Sequence, residues 1–258
     1  MSKKYLIGID LHGTLLNEQW QIENNLISPL AEKLSALKKD CLIYVCSGND
    51  LTFIQQYIPE SIRQLFDGYI LETGCTISEG IEEKIIVPSE TLKIIKSLED
   101  KLRQANIPEV KYFGRRLSTI SLFTRDESSG PEPDIIHDRV KNLVNELGFT
   151  DHVLVTHSNV AVDIIPLGFN KFTGMRHIAN NLKTIGIADS LNDSHMILGA
   201  DYSFIPANAS AKLLNLLEKN QKTVEKIHQA QKATILQSQY GHTLGVIDAL
   251  DFIAKNLI

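Results

Sequence analysis

Ile7-Gly8-Ile9-Asp10-Leu11-His12-Gly13-Thr14-Leu15 sets an acidic residue straight after an apolar strand and before a glycine turn. A carboxylate at a strand end is poised as an exposed nucleophile. It can attack phosphorus and so split a phosphoryl transfer into two easier steps. Gly13 and Thr14 offer a tight turn with a free hydroxyl, and the backbone N–H groups of such a turn can cradle a phosphate. Standing alone, Asp10 would as readily be an ordinary turn residue. The neighbouring segments decide between the two.

Residues 5–9 read as a buried strand, and residues 26–39 carry Leu30, Leu34 and Leu37 at helical spacing on one face. A second buried strand over 41–45, a helix over 50–58 and a strand over 69–71 follow. This β-loop-α-β alternation predicts an α/β fold, a parallel sheet covered on both faces, in which ligands sit beyond the C-terminal strand ends. From about Gly80 the pattern changes: strands over 84–87, 110–113, 117–123, 152–155 and 160–165, with helices over 89–105 and 135–147, predict an antiparallel α+β unit. After Lys171 the alternation returns, with helices over 172–180 and 192–199 and strands over 183–187 and 202–205. The middle unit reads as an insertion between two halves of one α/β domain. Helices over 211–219 and 244–256 then flank a Gln- and Lys-rich stretch, 220–239, read as solvated helix and loop. There is no internal repeat and no low-complexity linker.

With 258 residues the chain can bury an ample core without disulfide or metal staples. A formal charge of -5 and a pI near 5.9 argue against a generic nucleic-acid or anionic-membrane surface and favour a small-molecule substrate. The apolar run before Asp10 is too short for a signal peptide or a membrane span, so a cytoplasmic protein, monomer or homodimer, is expected. Cys41, Cys46 and Cys75 have no zinc-type spacing and read as buried reduced thiols.

Three further strand ends carry polar residues. Val45-Cys46-Ser47-Gly48-Asn49-Asp50 precedes a helix, where Ser47 could hydrogen-bond a phosphoryl oxygen and a helix N-terminus favours anions. Equally, Ser47 or Asn49 could simply cap that helix. Lys171, in Pro166-Leu167-Gly168-Phe169-Asn170-Lys171, opens the helix that follows the insertion and could neutralise charge on a phosphoryl group and on Asp10. In Ile187-Ala188-Asp189-Ser190-Leu191-Asn192-Asp193, two carboxylates four residues apart beside Asn192 suit a magnesium site completed by Asp10. Carboxylates gathered near Asp10 would repel it unless a cation were bound.

In order, spacing and strand-end placement, the four stretches resemble the motif set of the haloacid dehalogenase-like phosphatases and phosphomutases, whose first motif is D-x-D-G-T-[LV]. His12 stands where that family has its second aspartate. The resemblance implies a Rossmann-like three-layer parallel-sheet core over 1–79 and 168–258 and a type IIB α+β cap over 80–167. It further implies a magnesium-dependent phosphatase acting on a small phosphorylated metabolite, a phosphosugar, through an aspartyl-phosphate on Asp10. Ser47, Lys171 and His12 would be the other catalytic residues, with Thr14, Gly48, Asn49 and Asn192 binding substrate. Asp10, Asp189, Asp193 and the backbone carbonyl of His12 would hold Mg2+. Val162 to Lys171 is similar to the D-[IV]-F-P-x-G-W-D-K of eukaryotic-type phosphomannomutases, which makes a phosphotransferase the alternative. Motif four is closer to the phosphatase form G-D-x-x-N-D, and 241–250 resembles the tail of the sucrose-phosphate phosphatases.

The family aspartate at position 12 is the general acid and then the base. His12 could do both tasks with an unperturbed pKa near 6.5. It could instead handle the proton poorly and favour phosphotransfer, or remodel the pocket into that of a silent phosphosugar-binding protein. In the insertion, Lys111, Arg115, Arg116 and Arg125 fall in one short span, and the planar fork of arginine suits a phosphate or carboxylate. The phosphomannomutase resemblance implies that Arg115 or Arg116, with Arg125, holds an anionic group remote from the reacting phosphate.

Overall fold

The computed structural model describes residues 3–124, 133–157 and 161–258. The chain divides into two units, Met1–Glu83 with Asn170–Ile258, and Lys84–Phe169. In chain order the first unit holds β1 (Tyr5–Asp10), α1 (Asn24–Leu37), β2 (Cys41–Cys46), α2 (Leu51–Tyr57), α3 (Glu60–Arg63), β3 (Gly68–Leu71) and β4 (Thr76–Ser78). Strand β5 (Glu83–Ile85) straddles the boundary. The second unit follows with α4 (Ser89–Gln104), β6 (Val110–Phe113), β7 (Ile120–Thr124), α5 (Pro133–Glu146), β8 (Val153–His157) and β9 (Ala161–Pro166). The first then resumes with α6 (Lys171–Ala179), β10 (Lys183–Ile187), α7 (Ser194–Gly199), β11 (Tyr202–Ile205), α8 (Ala211–Lys219), β12 (Val224–Lys226), β13 (Ile235–Gln237) and α9 (His242–Asn256).

The larger sheet has the order β12-β13-β11-β10-β1-β2-β3-β4-β5. Its ladders from β12 to β3 are parallel, and β4 is antiparallel to β3. Strand β1 is central and buried at all six positions because its alternate side chains enter two different cores. Ile7 and Ile9 pack in a cluster with Leu30 and Leu34 of α1 and Leu250 and Ile253 of α9. Leu6 packs on the opposite face with Met175 of α6, Met196 of α7 and Leu213 of α8. Helices therefore cover both faces, giving the three-layer α/β arrangement that the alternation predicts.

The stretch read as solvated helix and loop is a correction. Residues 224–226 and 235–237 are strands, β13 lies against β11 in parallel, and Ile235 and Leu236 are buried. The helix expected over 192–199 is also shorter, a 3-10 turn at Leu191–Asp193 followed by α7. In the second unit an antiparallel sheet, β6-β7-β9-β8, buries Ile120, Leu122, Val162 and Ile164 against Ile95, Leu98 and Leu102 of α4 and Val140 and Val144 of α5. Cys41, Cys46 and Cys75 are buried free thiols. No helix among the described residues is long and apolar enough to cross a membrane.

Candidate active site

In the parallel ladders Ile9 is level with Val45 and Ile187, and Asp10 with Cys46. That register makes β1, β2 and β10 end together, so the residues that follow them leave the sheet side by side. Asp10 closes β1 and is buried. Ser47 is one residue past β2, and Asp189 is two residues past β10.

Lys171, the first residue of α6, reaches this edge because Asn170 and Thr173 form a reciprocal capping box that fixes the start of the helix. Its buried ammonium donates to Oδ1 of Asp10 and to Oδ1 of Asp193. Burial lowers the lysine's proton affinity, but the charges of Asp10 and Asp193 outweigh it and hold Lys171 above its ordinary value. Asp10, Asp189 and Asp193 can each offer one carboxylate oxygen within 4.8 Å of the others. Burial, then the charge of Asp10, pushes Asp189 up to about 7 and raises Asp193 as well. Three carboxylates against one ammonium leave two negative charges uncompensated. A hard divalent cation with oxygen ligands fits that donor set and that deficit.

The turn after β1 is tied down from distant parts of the chain. Gly13 has φ +77, and a Cβ there would lie 2.5 Å from Oδ2 of Asp189. Thr14 is fully buried and its hydroxyl donates to Oδ1 of Asp189 at 2.9 Å. The hydroxyl read as free is thus engaged by a carboxylate. The carbonyl of Gly13 accepts from Nδ2 of Asn208 at 2.8 Å and from Nδ1 of His242 at 3.2 Å. Thr243 donates its hydroxyl to the Leu15 carbonyl at 2.7 Å. The sequence reading missed these three tethers as site residues. The signal they carried was their place in the chain, His242 and Thr243 in the 241–250 segment that resembles the tail of the sucrose-phosphate phosphatases and Asn208 in the turn after β11.

Ser47 is buried and its Oγ accepts the Asn49 N–H at 3.0 Å. Helix α2 is capped not by Ser47 or Asn49 but by Asp50, which accepts from Phe53 N at 2.9 Å. Gly48 is exposed and Asn49 half-buried. The loop is held from behind by Glu72, Thr73 and Gly74, all with positive φ (46°, 56° and 92°). Thr73 N donates to the Ser47 carbonyl and Glu72 N to that of Asn49, at 3.0 and 3.2 Å. Glu72 and Thr73, two successive non-glycine residues in the left-handed region, store strain, and such strain concentrates at functional sites. Asn192 is exposed in the turn before Asp193, whose Oδ2 accepts from Ser190 Oγ at 2.7 Å.

His12 is half-buried among aromatic rings, with Phe53 and Trp20 at centroid distances of 4.9 and 5.7 Å. Burial, assisted by the Lys171 ammonium, lowers its pKa to about 4. The imidazole is therefore neutral at pH 7. In the second unit Lys111 is exposed on β6, and Arg115 (exposed) and Arg116 (half-buried) stand between β6 and β7. Arg125 lies outside the described residues.

A family model described as haloacid dehalogenase-like hydrolase matches residues 7–113. A second, described as sucrose-6F-phosphate phosphohydrolase, matches residues 123–252. The fold is similar to that of the sucrose-phosphatase from Synechocystis sp. PCC6803, solved with sucrose and phosphate (TM-score 0.65, 18% identity, 97% of this chain and 98% of that one). It is also similar to a trehalose-6-phosphate phosphatase related protein (0.59, 16%, 96% of each). A haloacid dehalogenase-like hydrolase from Bacteroides thetaiotaomicron is a further match (0.64, 15%, 98% and 100%). No curated protein matches the chain.

Proposed function

The chain belongs to the haloacid dehalogenase-like hydrolases and is a phosphatase, and we propose that it hydrolyses a small phosphosugar through an aspartyl-phosphate on Asp10, with Mg2+ as cofactor. The observation that carries this reading is the buried cluster in which Lys171 bridges Asp10 and Asp193, with Asp189 alongside. Asp10, Asp189 and Asp193, with the His12 carbonyl, would hold the ion. When bound, it offsets the excess carboxylate charge and polarises phosphoryl oxygens.

Lys171 holds one oxygen of Asp10, which orients that carboxylate. The attacking oxygen forms a bond to phosphorus while the bond from phosphorus to the sugar oxygen breaks, and the sugar oxygen takes a proton from a solvent water as it leaves. The Lys171 ammonium and the Ser47 hydroxyl stabilise charge building on the equatorial oxygens. Gly48, Asn49 and Asn192 border the phosphoryl group, and Thr14 acts through Asp189. In the second half-reaction water attacks the aspartyl-phosphate, and His12, neutral at pH 7, accepts the proton from it. Inorganic phosphate leaves, His12 returns its proton to solvent and Asp10 is regenerated.

The phosphosugar class rests on the second family model, which spans residues 123–252, and on the sugars named for the similar structures. The second unit would serve as a type IIB cap, with Arg115, Arg116 and Arg125 as anion contacts. A screen of phosphorylated metabolites for phosphate release with Mg2+ tests the proposal, with Asp10→Asn as blank. At least one phosphosugar should be hydrolysed, and the variant should lose about 10³-fold or more. Undiminished release by Asp10→Asn, or release unaffected by chelator, would sink it.

A further inference from the structure

Besides the carboxylate cluster, the edge near Asp10 carries a second grouping, of which the mechanism uses only His12. Four rings meet there. His12 lies 4.9 Å from Phe53 and 5.7 Å from Trp20, Trp20 lies 5.6 Å from Phe53 and 5.3 Å from Tyr57, and Phe53 lies 4.3 Å from Tyr57. Their origins differ: His12 is in the turn after β1, Trp20 in the following turn, and Phe53 and Tyr57 are one helical turn apart on α2.

Core packing accounts for only part of this arrangement. Leu51 and Ile54 form the buried side of α2, and although Phe53, Tyr57 and Trp20 pack against the same core, these three and His12 keep part of their surface in solvent. Trp20 has φ +61, a backbone conformation that a bulky residue adopts only at a cost. Asn17 holds that conformation, its Oδ1 accepting the N–H groups of Gln19 and Gln21 at 3.0 Å each. The backbone is thus bent so as to bring the indole to the imidazole two residues from the nucleophile.

We propose that His12, Trp20, Phe53 and Tyr57 form an aromatic subsite that stacks on the flat C–H face of the substrate's sugar ring. It rests on the phosphosugar reading above and deepens it. The negative faces of aromatic rings attract the weakly positive C–H groups that line one side of a pyranose. Because the rings already fix one another, stacking a ligand on them freezes few additional rotors. An imidazole joins such a wall where an aspartate could not, since a carboxylate is charged and has no π face. The imidazole at position 12 therefore adds ring recognition two residues from the nucleophile.

Trp20 is the only tryptophan in the chain, so its emission reads this subsite directly. The full-length Asp10→Asn protein, with Mg2+, is titrated with glucose 6-phosphate, with acyclic glycerol 3-phosphate and with inorganic phosphate. The pyranose ester should shift Trp20 emission saturably and bind about tenfold more tightly than the acyclic ester. Adding Phe53→Leu should reduce that ratio to about twofold, and Phe53→Tyr should restore it. Equal affinity of the two esters, or loss of both to the same extent in Phe53→Leu, would overturn the subsite, because a merely structural wall affects every ester alike. Phosphate release by the parent separates this test from the broader one. A parent that hydrolyses esters without ring selectivity refutes the subsite alone, and ring-selective Trp20 shifts in a parent that hydrolyses nothing refute the phosphatase mechanism alone.

Discussion

Gly13 is a residue at which two constraints coincide. Its φ of +77 disfavours any side chain, and a Cβ would press on Oδ2 of Asp189. Gly13→Ala should therefore cost about 1–2 kcal/mol of stability and also displace Asp189, so phosphate release should fall more than the melting temperature alone explains. Activity equal to the parent's would contradict the placement of Asp189. At this scale the acids were legible, because a carboxylate straight after an apolar run is a local pattern. The role of Thr14 was not. Its hydroxyl looks free in sequence, and its partner, Asp189, is 175 residues away. His12 was readable as an anomaly, but its aromatic surroundings and lowered pKa come from Trp20, Phe53 and burial, none of which the motif contains.

Among the elements, β12 and β13 show where pattern reading fails. Each has three residues, too few to display a period of two, and they sit in a stretch rich in Gln and Lys. Their strand character comes from pairing, β13 with β11 and β12 with β13, which supplies the missing hydrogen bonds. Leu236 is buried in the same cluster as Ile7 and Leu250, so Leu236→Ala should destabilise by about 2–5 kcal/mol. Exposed Gln239→Ala should change stability by no more than about 0.5 kcal/mol. Chemical denaturation of both variants checks this, and two equally small effects would mean that the stretch is not part of the sheet. The longer elements needed no such help. Helices α1 and α4 place Leu30, Leu34 and Leu37, and Ile95, Leu98 and Leu102, on single faces.

Across the molecule, each unit has its own hydrophobic core, and the carboxylate cluster and Trp20 both belong to the first. Binding of a cation to the native state should therefore stabilise that unit. At Mg2+ concentrations about 100 times the dissociation constant the gain is about 2.7 kcal/mol. The thermal transition followed by Trp20 emission should rise with Mg2+ and fall back with chelator, and Asp189→Asn should blunt the response. Identical transitions in Mg2+ and chelator would refute the metal site. The sequence by itself determined the α/β layering and the order of polar strand ends, because apolar runs, helical spacing and turn residues are written within a few positions of each other. In a parallel sheet those strand ends must emerge on one side. Only the tertiary structure decided that Asn208, His242 and Thr243 tether the nucleophile turn, that Thr14 serves Asp189, and that His12 joins an aromatic wall. Those contacts depend on strand register and helix packing between distant segments, which leave no periodic trace along the chain.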